Sequence, residues 1–328
     1  MSSSASPPKT PRVSVVLTVY NGQQHLKEAV ASILSQDFTD FELVAVNDGS
    51  TDRSSQILHN FAKRDARVRV IDQENRGIAG AANRGIEEAT APLIARMDAD
   101  DISMPQRFGL QVDYLDKHPE CLAVGTAILN IDADGDPLNI SIYESDPERI
   151  DDCLMHRRTG MAQPSVMMRR DIVLELGGYR KEYEWIEDHD LWLRLAERGP
   201  LGNLPDVMLC YRQHLGSVSW NNASLRMARI NGVLTDAYRR RDIPIPPGLL
   251  LPENPRRSTG GHHKFLRAAV RAGQWKTARK HFVAQWAKQP FSAITWRCTM
   301  EAGFRAVSTV VHPPPAAPII PRFSADFQ

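Results

Sequence analysis

Val13-Ser14-Val15-Val16-Leu17-Thr18-Val19 is a predominantly apolar run that stops at the polar cluster Tyr20-Asn21-Gly22. It is short, rich in β-branched residues and bounded by turn formers, which reads as a buried strand. Working outward, His25–Ser35 places Leu26, Ala29, Val30, Ile33 and Leu34 at helical spacing. Phe41–Val46 is a second strand-like run, broken by Asp48-Gly49-Ser50-Thr51-Asp52. Ser50, Thr51 or Asp52 can cap a helix reaching about Lys63. Val68–Ile71 reads as a third strand, Ile78–Ala89 as a helix and Leu93–Met97 as a fourth strand. Strand and helix therefore alternate, which implies an α/β fold with a mostly parallel sheet flanked by helices. Ligands in such sheets bind beyond the carboxyl ends of the strands. Tyr20-Asn21-Gly22, Asp48-Gly49-Ser50 and Asp98–Asp101 each follow a strand, so all three converge on one sheet edge.

Further along, a helix is expected from Pro105 to about His118, then an apolar run Cys121–Ile131. Asp132-Ala133-Asp134-Gly135-Asp136-Pro137 has the aspartate spacing of a calcium loop, but Tyr143 stands where the twelfth-position Glu belongs. It is assigned as a hairpin turn. Asp188–Glu197 reads as an amphipathic helix and Val207–Arg212 as a last strand, with the core ending near Trp220.

The chain has 328 residues and a formal charge of +1, which hides a division. Residues 1–220 carry 23 Lys and Arg against 34 Asp and Glu; residues 221–328 carry 17 against 5. An acidic front suits a divalent cation, and a basic back suits a phosphate-bearing surface or an anionic membrane. Mutual attraction of the two halves is the alternative. The four cysteines are widely spaced without a CxxC pair and are expected as reduced thiols. No apolar run is long enough to span a bilayer, and the Ser- and Pro-rich residues 1–11 read as a disordered lead-in without a signal-peptide core.

Past the linker-like Pro244–Pro247 and Pro252–Pro255, His263–Gln289 reads as two short helices broken at Gly273-Gln274. Their apolar faces are Phe265, Leu266, Ala269 and Val270, then Trp275, Ala278, Phe282 and Trp286. One such hairpin cannot bury its own face, so it must pack on the core, a partner or a membrane. Pro313–Pro321, with five prolines, is expected to be irregular.

The chemistry centres on Asp98-Ala99-Asp100-Asp101. Three carboxylates in four residues repel one another unless a cation or hydrogen-bond donors compensate, and a hard divalent cation with oxygen ligands is a natural compensation. A solvated acidic loop or a helix cap before Pro105 is the alternative. The context is Val13–Asn21, Asn47–Asp52, Asn75-Arg76-Gly77 with Asn83-Arg84-Gly85, and Met97–Asp101, followed by Gln163-Pro164-Ser165, Gly177-Gly178-Tyr179, Glu187–Leu191 and Tyr211-Arg212-Gln213-His214. In this order and spacing the sequence resembles family 2 glycosyltransferases of the GT-A fold over residues 13–215. Three positions depart from that pattern: Thr18 replaces a usual proline, Asn47 a common aspartate and Ala82 a frequent arginine.

The resemblance implies a GT-A type, Rossmann-like domain over residues 12–220, with a basic helical C-terminal region over 221–328. It implies that Thr18, Val19, Tyr20, Asn21, Asp48, Arg76 and Asp98 bind a nucleotide-sugar. Asp48 would accept a hydrogen bond from the base, for which a uracil imide N–H is suited. Asp100, with His214, would hold Mg2+ or Mn2+ at the diphosphate; a purely structural His214 is the alternative. Asp188 would be the general base for inverting transfer to an acceptor hydroxyl, unless Glu187-Asp188 only caps its helix. The implied partners are a nucleotide-sugar donor and a glycan, lipid-linked or other hydroxyl acceptor; the basic C-terminal region adds an anionic membrane surface as an expected partner. The expected location is the cytoplasm, peripheral at the inner membrane face.

A nucleotidyltransferase of similar fold and an inactive nucleotide-sugar-binding relative are the alternative functions. The former would want a glycine-rich basic loop where Tyr20-Asn21-Gly22-Gln23-Gln24 stands. A dinucleotide-binding oxidoreductase would want GxGxxG there. A nucleic-acid-binding module would want a recognition motif, and the core is acidic.

Overall fold

A computed structural model describes residues 10–214, 223–251, 261–293, 295–298, 300–301 and 320–321. Nearly all of the expected lead-in, Trp220, Pro252–Pro255 and most of Pro313–Pro321 lie outside the described residues.

The first half alternates as anticipated: β1 (Val13–Val19), α1 (Leu26–Leu34), β2 (Phe41–Asp48), α2 (Ser54–Ala62), β3 (Val68–Gln73), α3 (Gly77–Glu88) and β4 (Leu93–Asp98). Then come β5 (Ile102–Ser103), α4 (Arg107–Lys117), β6 (Ala123–Ile131), β7 (Pro137–Ser141), α5 (Pro147–Met155), β8 (Met167–Arg169), α6 (Arg170–Glu175), α7 (Glu187–Ala196) and β9 (Leu201–Arg212). Three further helices follow: α8 (Ala223–Arg240), α9 (His262–Arg271) and α10 (Trp275–Lys288). α8 is an addition to the elements expected from sequence.

One nine-stranded sheet runs β3-β2-β1-β4-β8-β6-β9-β5, with β7 beside β6. The expected parallel character belongs to β3-β2-β1-β4 and to the β6–β9 pair. β8 is antiparallel to both of its neighbours. In β1, Val13, Val15, Leu17 and Val19 join a core with Leu26, Val30 and Phe108, while Val16 faces Ala79, Ala82 and Ile86 of α3. Burial of both faces is why β1 reads as a near-continuous apolar run. Each such aliphatic side chain stabilises the fold by roughly 1.5–3 kcal/mol. α3 lies close to the sheet: a Cβ on Gly85 would stand 2.4 Å from Val16 Cγ1.

The two halves of the sheet meet at β8, which has only three residues. Buried polar side chains reinforce this seam. Gln111 Nε2 donates to Val124 O and Ser165 O, both at 2.8 Å, and Arg107 Nη2 donates to Arg96 O at 2.9 Å. Arg107 and Gln111 are fully buried.

α8 packs Ile230, Val233, Leu234, Ala237 and Tyr238 into the same core as Leu191, Trp192 and Leu195 of α7. The described segment after it, through Leu251, is tied to the core. Leu249 is buried, and Asn231 exchanges two 2.9 Å hydrogen bonds with the Leu251 backbone. α9 and α10 turn at Gly273, where φ is 71°. They enclose Phe265, Leu266, Ala269, Val270 and Ala278 around Leu138 of β7. The α9 face and Ala278 are thus buried on the core, whereas Phe282 and Trp286 are half-buried and Trp275 is exposed. The β6–β7 turn is the expected one: Asp132 Oδ1 accepts from Asp134 N and Asp136 N at 3.0 Å, and Gly135 takes φ 86°. All four cysteines are free thiols and buried.

Candidate active site

The carboxyl ends of β1, β2 and β4 lie side by side, with Thr18 opposite Asp98 and Val19 opposite Asn47. The loops beyond them are stitched together. Asn21 N donates to Ser50 Oγ, Gly22 N to Ser54 Oγ and Gln23 N to Asp52 Oδ2, each at 3.0 Å. Asn21 Oδ1 accepts from Thr51 N at 2.8 Å and from Thr51 Oγ1 at 3.3 Å. Asp52 also accepts from Ser54 N at 2.9 Å, so it is the residue among Ser50, Thr51 and Asp52 that serves the start of α2. Asn21 stands at φ 51°, a left-handed position that asparagine tolerates. Tyr20 is 57% exposed at this edge, whereas the Val19 side chain is buried in the core and offers only its backbone.

Asp48 is buried and already engaged. Its Oδ1 accepts from Gln73 Nε2 at 2.7 Å and from Arg76 N at 2.8 Å; its Oδ2 accepts from Gly77 N at 3.1 Å. A carboxylate has about four lone-pair sites, so one remains for a ligand. Arg76 meets Asp48 through its backbone and stands at the start of α3, where Ile78 N is taken by Glu184 Oε1 at 3.1 Å.

The acidic run divides by environment. Asp101 is fully buried, and burial with repulsion from Asp100 and Asp98 pushes its carboxyl well above the carboxylate range. Its Oδ1 accepts Arg212 N at 2.8 Å, and it braces the loop from inside. Burial raises Asp98 to about 6. The buried Arg96 opposes that rise from 3.4 Å, and the charges of Asp100 and Asp188 add to it. Arg96 Nη2 also reaches Thr18 Oγ1 at 3.5 Å. Asp100 faces outward, its side chain 33% exposed, with Oδ2 3.3 Å from Nε2 of His214, 32% exposed. The His25 ring lies 6.4 Å from that of His214, and burial with the Arg212 charge lowers His25 to about 4.

Asp100 and His214 give one hard oxygen donor and one imidazole with accessible edges. That suits a divalent cation that completes its shell with substrate phosphates and water. Among the described residues, no three His, Cys, Asp or Glu side chains are arranged to hold a metal by themselves.

Asp188 opens α7, which carries Glu187, Asp188 and Asp190 in its first turn. Asp188 Oδ1 accepts His189 N at 2.8 Å, and no described hydrogen bond uses Oδ2. Beside it Glu187 is buried with Oε2 unpartnered, and burial plus Asp188 push its carboxyl to about 8. Trp185 precedes this pair at φ 78°, rare for a bulky residue. Arg212 ties the region together. It donates to Asp100 O at 2.8 Å, to Ala133 O at 3.2 Å and to Glu28 Oε2 at 2.6 Å. Sequence reading missed His25, Arg96, Glu184 and the structural role of Arg212. Their contacts reach residues distant in the chain, so no local pattern in the sequence marked them.

Comparison with known proteins bears on this arrangement. The family model described as glycosyl transferase family 2 matches residues 14–177. EpsE of Bacillus subtilis, named as a glycosyltransferase, is 34% identical over 72% of this chain and 84% of its own length. The amylovoran biosynthesis glycosyltransferase AmsE of Erwinia amylovora is 32% identical over 61% of this chain and 75% of its own. The crystal structure of S. aureus TarS 1–349 with UDP-GlcNAc superposes with a TM-score of 0.55 at 16% identity, covering 92% of each chain. A mannosyltransferase from Pyrobaculum calidifontis, solved with GDP-Man and Mn2+, gives 0.51 at 18% identity, over 93% of this chain and 88% of that one. These structural likenesses establish the GT-A type fold.

Proposed function

The chain belongs to glycosyltransferase family 2, and from that premise we propose that it moves a sugar from a nucleotide diphosphate, UDP in the first instance, to a glycan hydroxyl with inversion. What supports this reading most is a single juxtaposition: the outward Asp100–His214 pair and the helix-opening Asp188 flank Asp98 at the carboxyl edge of the parallel strands.

The base and ribose of the donor lie against the β1 and β2 loops. Tyr20 offers an exposed ring there, and Asp48 keeps an acceptor site for an imide N–H. The diphosphate lies toward Asp98 and Asp100. Asp100 and His214 would hold Mg2+ or Mn2+, which when bound would neutralise charge developing on the leaving diphosphate. The acceptor hydroxyl approaches Asp188 from the α7 side. With Oδ1 engaged by its own helix, Asp188 takes the hydroxyl proton on Oδ2 while the oxygen attacks the anomeric carbon. One displacement follows, on the face opposite the leaving group. Relatives such as AmsE act in polysaccharide biosynthesis by name, which favours a growing cell-surface glycan as acceptor.

The test is calorimetric binding and turnover of a panel of UDP- and GDP-sugars, with and without Mn2+. UDP-sugar binding strengthened by Mn2+, with the strengthening lost in Asp100→Asn, is expected. Absence of both binding and turnover with every donor refutes the proposal.

A further inference from the structure

Resting on that reading, which makes a growing cell-surface glycan the acceptor, we propose that α10 and the described residues between 291 and 301 form a docking face for an anionic bilayer surface.

The inner side of this region is already used. Lys280 Nζ lies 2.5, 2.7 and 2.8 Å from carboxylate oxygens of Asp132, Asp134 and Asp136. Lys276 reaches Asp136 at 3.1 Å, and His281 Nε2 meets Asp132 Oδ2 at 2.9 Å. The region is therefore held in a set orientation on the β6–β7 turn. That turn is joined through Arg212 to the backbone of Asp100.

The outer side presents apolar groups that the described residues leave exposed. Val283 is 58% exposed, Phe291 90%, Trp296 51% and Met300 68%. Trp296 ends a row of rings whose other members, Trp286 and Phe282, are half-buried. Trp296 meets Trp286 edge-on with ring centroids 5.4 Å apart, and Trp286 meets Phe282 at 6.1 Å. Met300 follows Trp296 by four residues, one helical turn. Exposed Arg279, Lys288 and Arg297 accompany the row. The one acid between residues 261 and 301 is Glu301, and it is held by Arg267 and Arg271 at 2.8 and 2.9 Å.

Aromatic and sulfur-bearing side chains interleaved with cations and lacking acids match the chemistry of an anionic headgroup boundary. A second copy of the same face fits poorly, because a two-fold contact would set cation against cation. Among the described residues no helix is long and apolar enough to cross a membrane, so the contact is with a surface. Bound there, the face holds the Asp100 loop at a fixed height over a lipid-linked hydroxyl.

The experiment uses the full chain with phosphatidylcholine vesicles, with and without phosphatidylglycerol, read by flotation and by quenching of tryptophan fluorescence with brominated lipid. Coflotation with the anionic vesicles, at least about tenfold stronger than with neutral ones and weakened by salt, is expected. The pairs Trp296→Ser with Met300→Ser, and Lys288→Glu with Arg297→Glu, should each lower partitioning by about tenfold or more while leaving UDP-sugar binding unchanged. Equal binding to neutral vesicles, or none to either, overturns the proposal. So does a concentration-dependent dimer that the Trp296 and Met300 pair abolishes. Donor binding is measured on the same samples, so its failure would sink the glycosyltransferase reading separately from the membrane result.

Discussion

Replacing Lys280 by alanine removes the one cation enclosed by three carboxylates of the β6–β7 turn. The loss is unequal among them. Asp134 is 73% exposed and gives up little, since exposed pairs are worth about 0–1 kcal/mol. Asp132 is 1% exposed and Asp136 is 22% exposed, so their pairs dominate. Removing one partner of a fully buried pair costs about 3–5 kcal/mol. Here Lys280 is itself 32% exposed, and Asp132 keeps His281 and two backbone donors. About 2 kcal/mol is the resulting expectation, and it falls on the docking of α9 and α10. Amide hydrogen exchange in those helices should then speed up by roughly 30-fold, at 1.4 kcal/mol per decade. The vacated turn keeps aspartates at alternate positions, the spacing of the first three ligands of a calcium loop. Millimolar Ca2+ should restore part of the protection in Lys280→Ala and none in the wild type. The pH dependence follows from two shifts of opposite sign. Asp132 is depressed below 3.8: burial works against ionisation, but bonds from His281, Lys280 and the Asp136 N–H outweigh it. Its contribution is present above that value and lost as pH falls through the depressed one. Lys280 is raised above 10.5 by its carboxylates against burial. Its contribution is full below that value and lost only as pH rises beyond it. The protection difference should be flat across neutral pH. Unchanged exchange in Lys280→Ala, or equal Ca2+ protection of the wild type, would refute this reasoning.

Asp188→Asn keeps an Oδ1 acceptor for His189 N but no base. Transfer should fall by about 10²–10⁴ with donor affinity unchanged, and a variant within tenfold of wild type would remove Asp188 from that role. Gly85→Ala gains about 1 kcal/mol of helix propensity. It drives a methyl to 2.4 Å from Val16, an overpacking worth about 1–3 kcal/mol. Calorimetry should show a net loss near 1 kcal/mol, with Tm down by about 2–4 °C. Glu187 is raised from 4.5 to about 8, so its stabilising protonated form is complete below 4.5 and lost as pH rises through 8. Glu187→Gln should flatten the decline of Tm across that window, and an unaltered profile would show that another group titrates there.

The parallel half of the sheet was legible because β1, β2 and β4 are buried on both faces and end in polar turns, while the edge strand β3 buries only Val68. Val13–Val19 and Leu93–Met97 announce themselves by composition alone. The second half is less so. β8 is three residues long, and β9 runs on from Leu201 through charged and exposed positions that hide its first half. α8 mixes cations and small residues, and its core face becomes apparent only against Trp192. Within the site, Asp100, His214 and Asp188 carry chemistry in their own side chains and could be named from sequence. Arg212 and Glu184 act by reaching backbone atoms far along the chain, Glu184 at Ile78 and Arg212 at Asp100. No local pattern encodes such contacts.

The three-residue strand between the two halves has a mechanical meaning. Between β4 and β6 the sheet is joined only by the pairs that β8 makes with Leu93–Ala95 and with Ala123–Val124, a far narrower joint than the seven-residue ladder of β1 and β2, and the two-residue β5–β9 ladder adds little to it. Gln111 and Arg107 carry part of the load on it as side-chain rivets. Pulled apart along the strand-to-strand direction, the protein should therefore yield at this joint. The nucleotide end would come away as one intact piece.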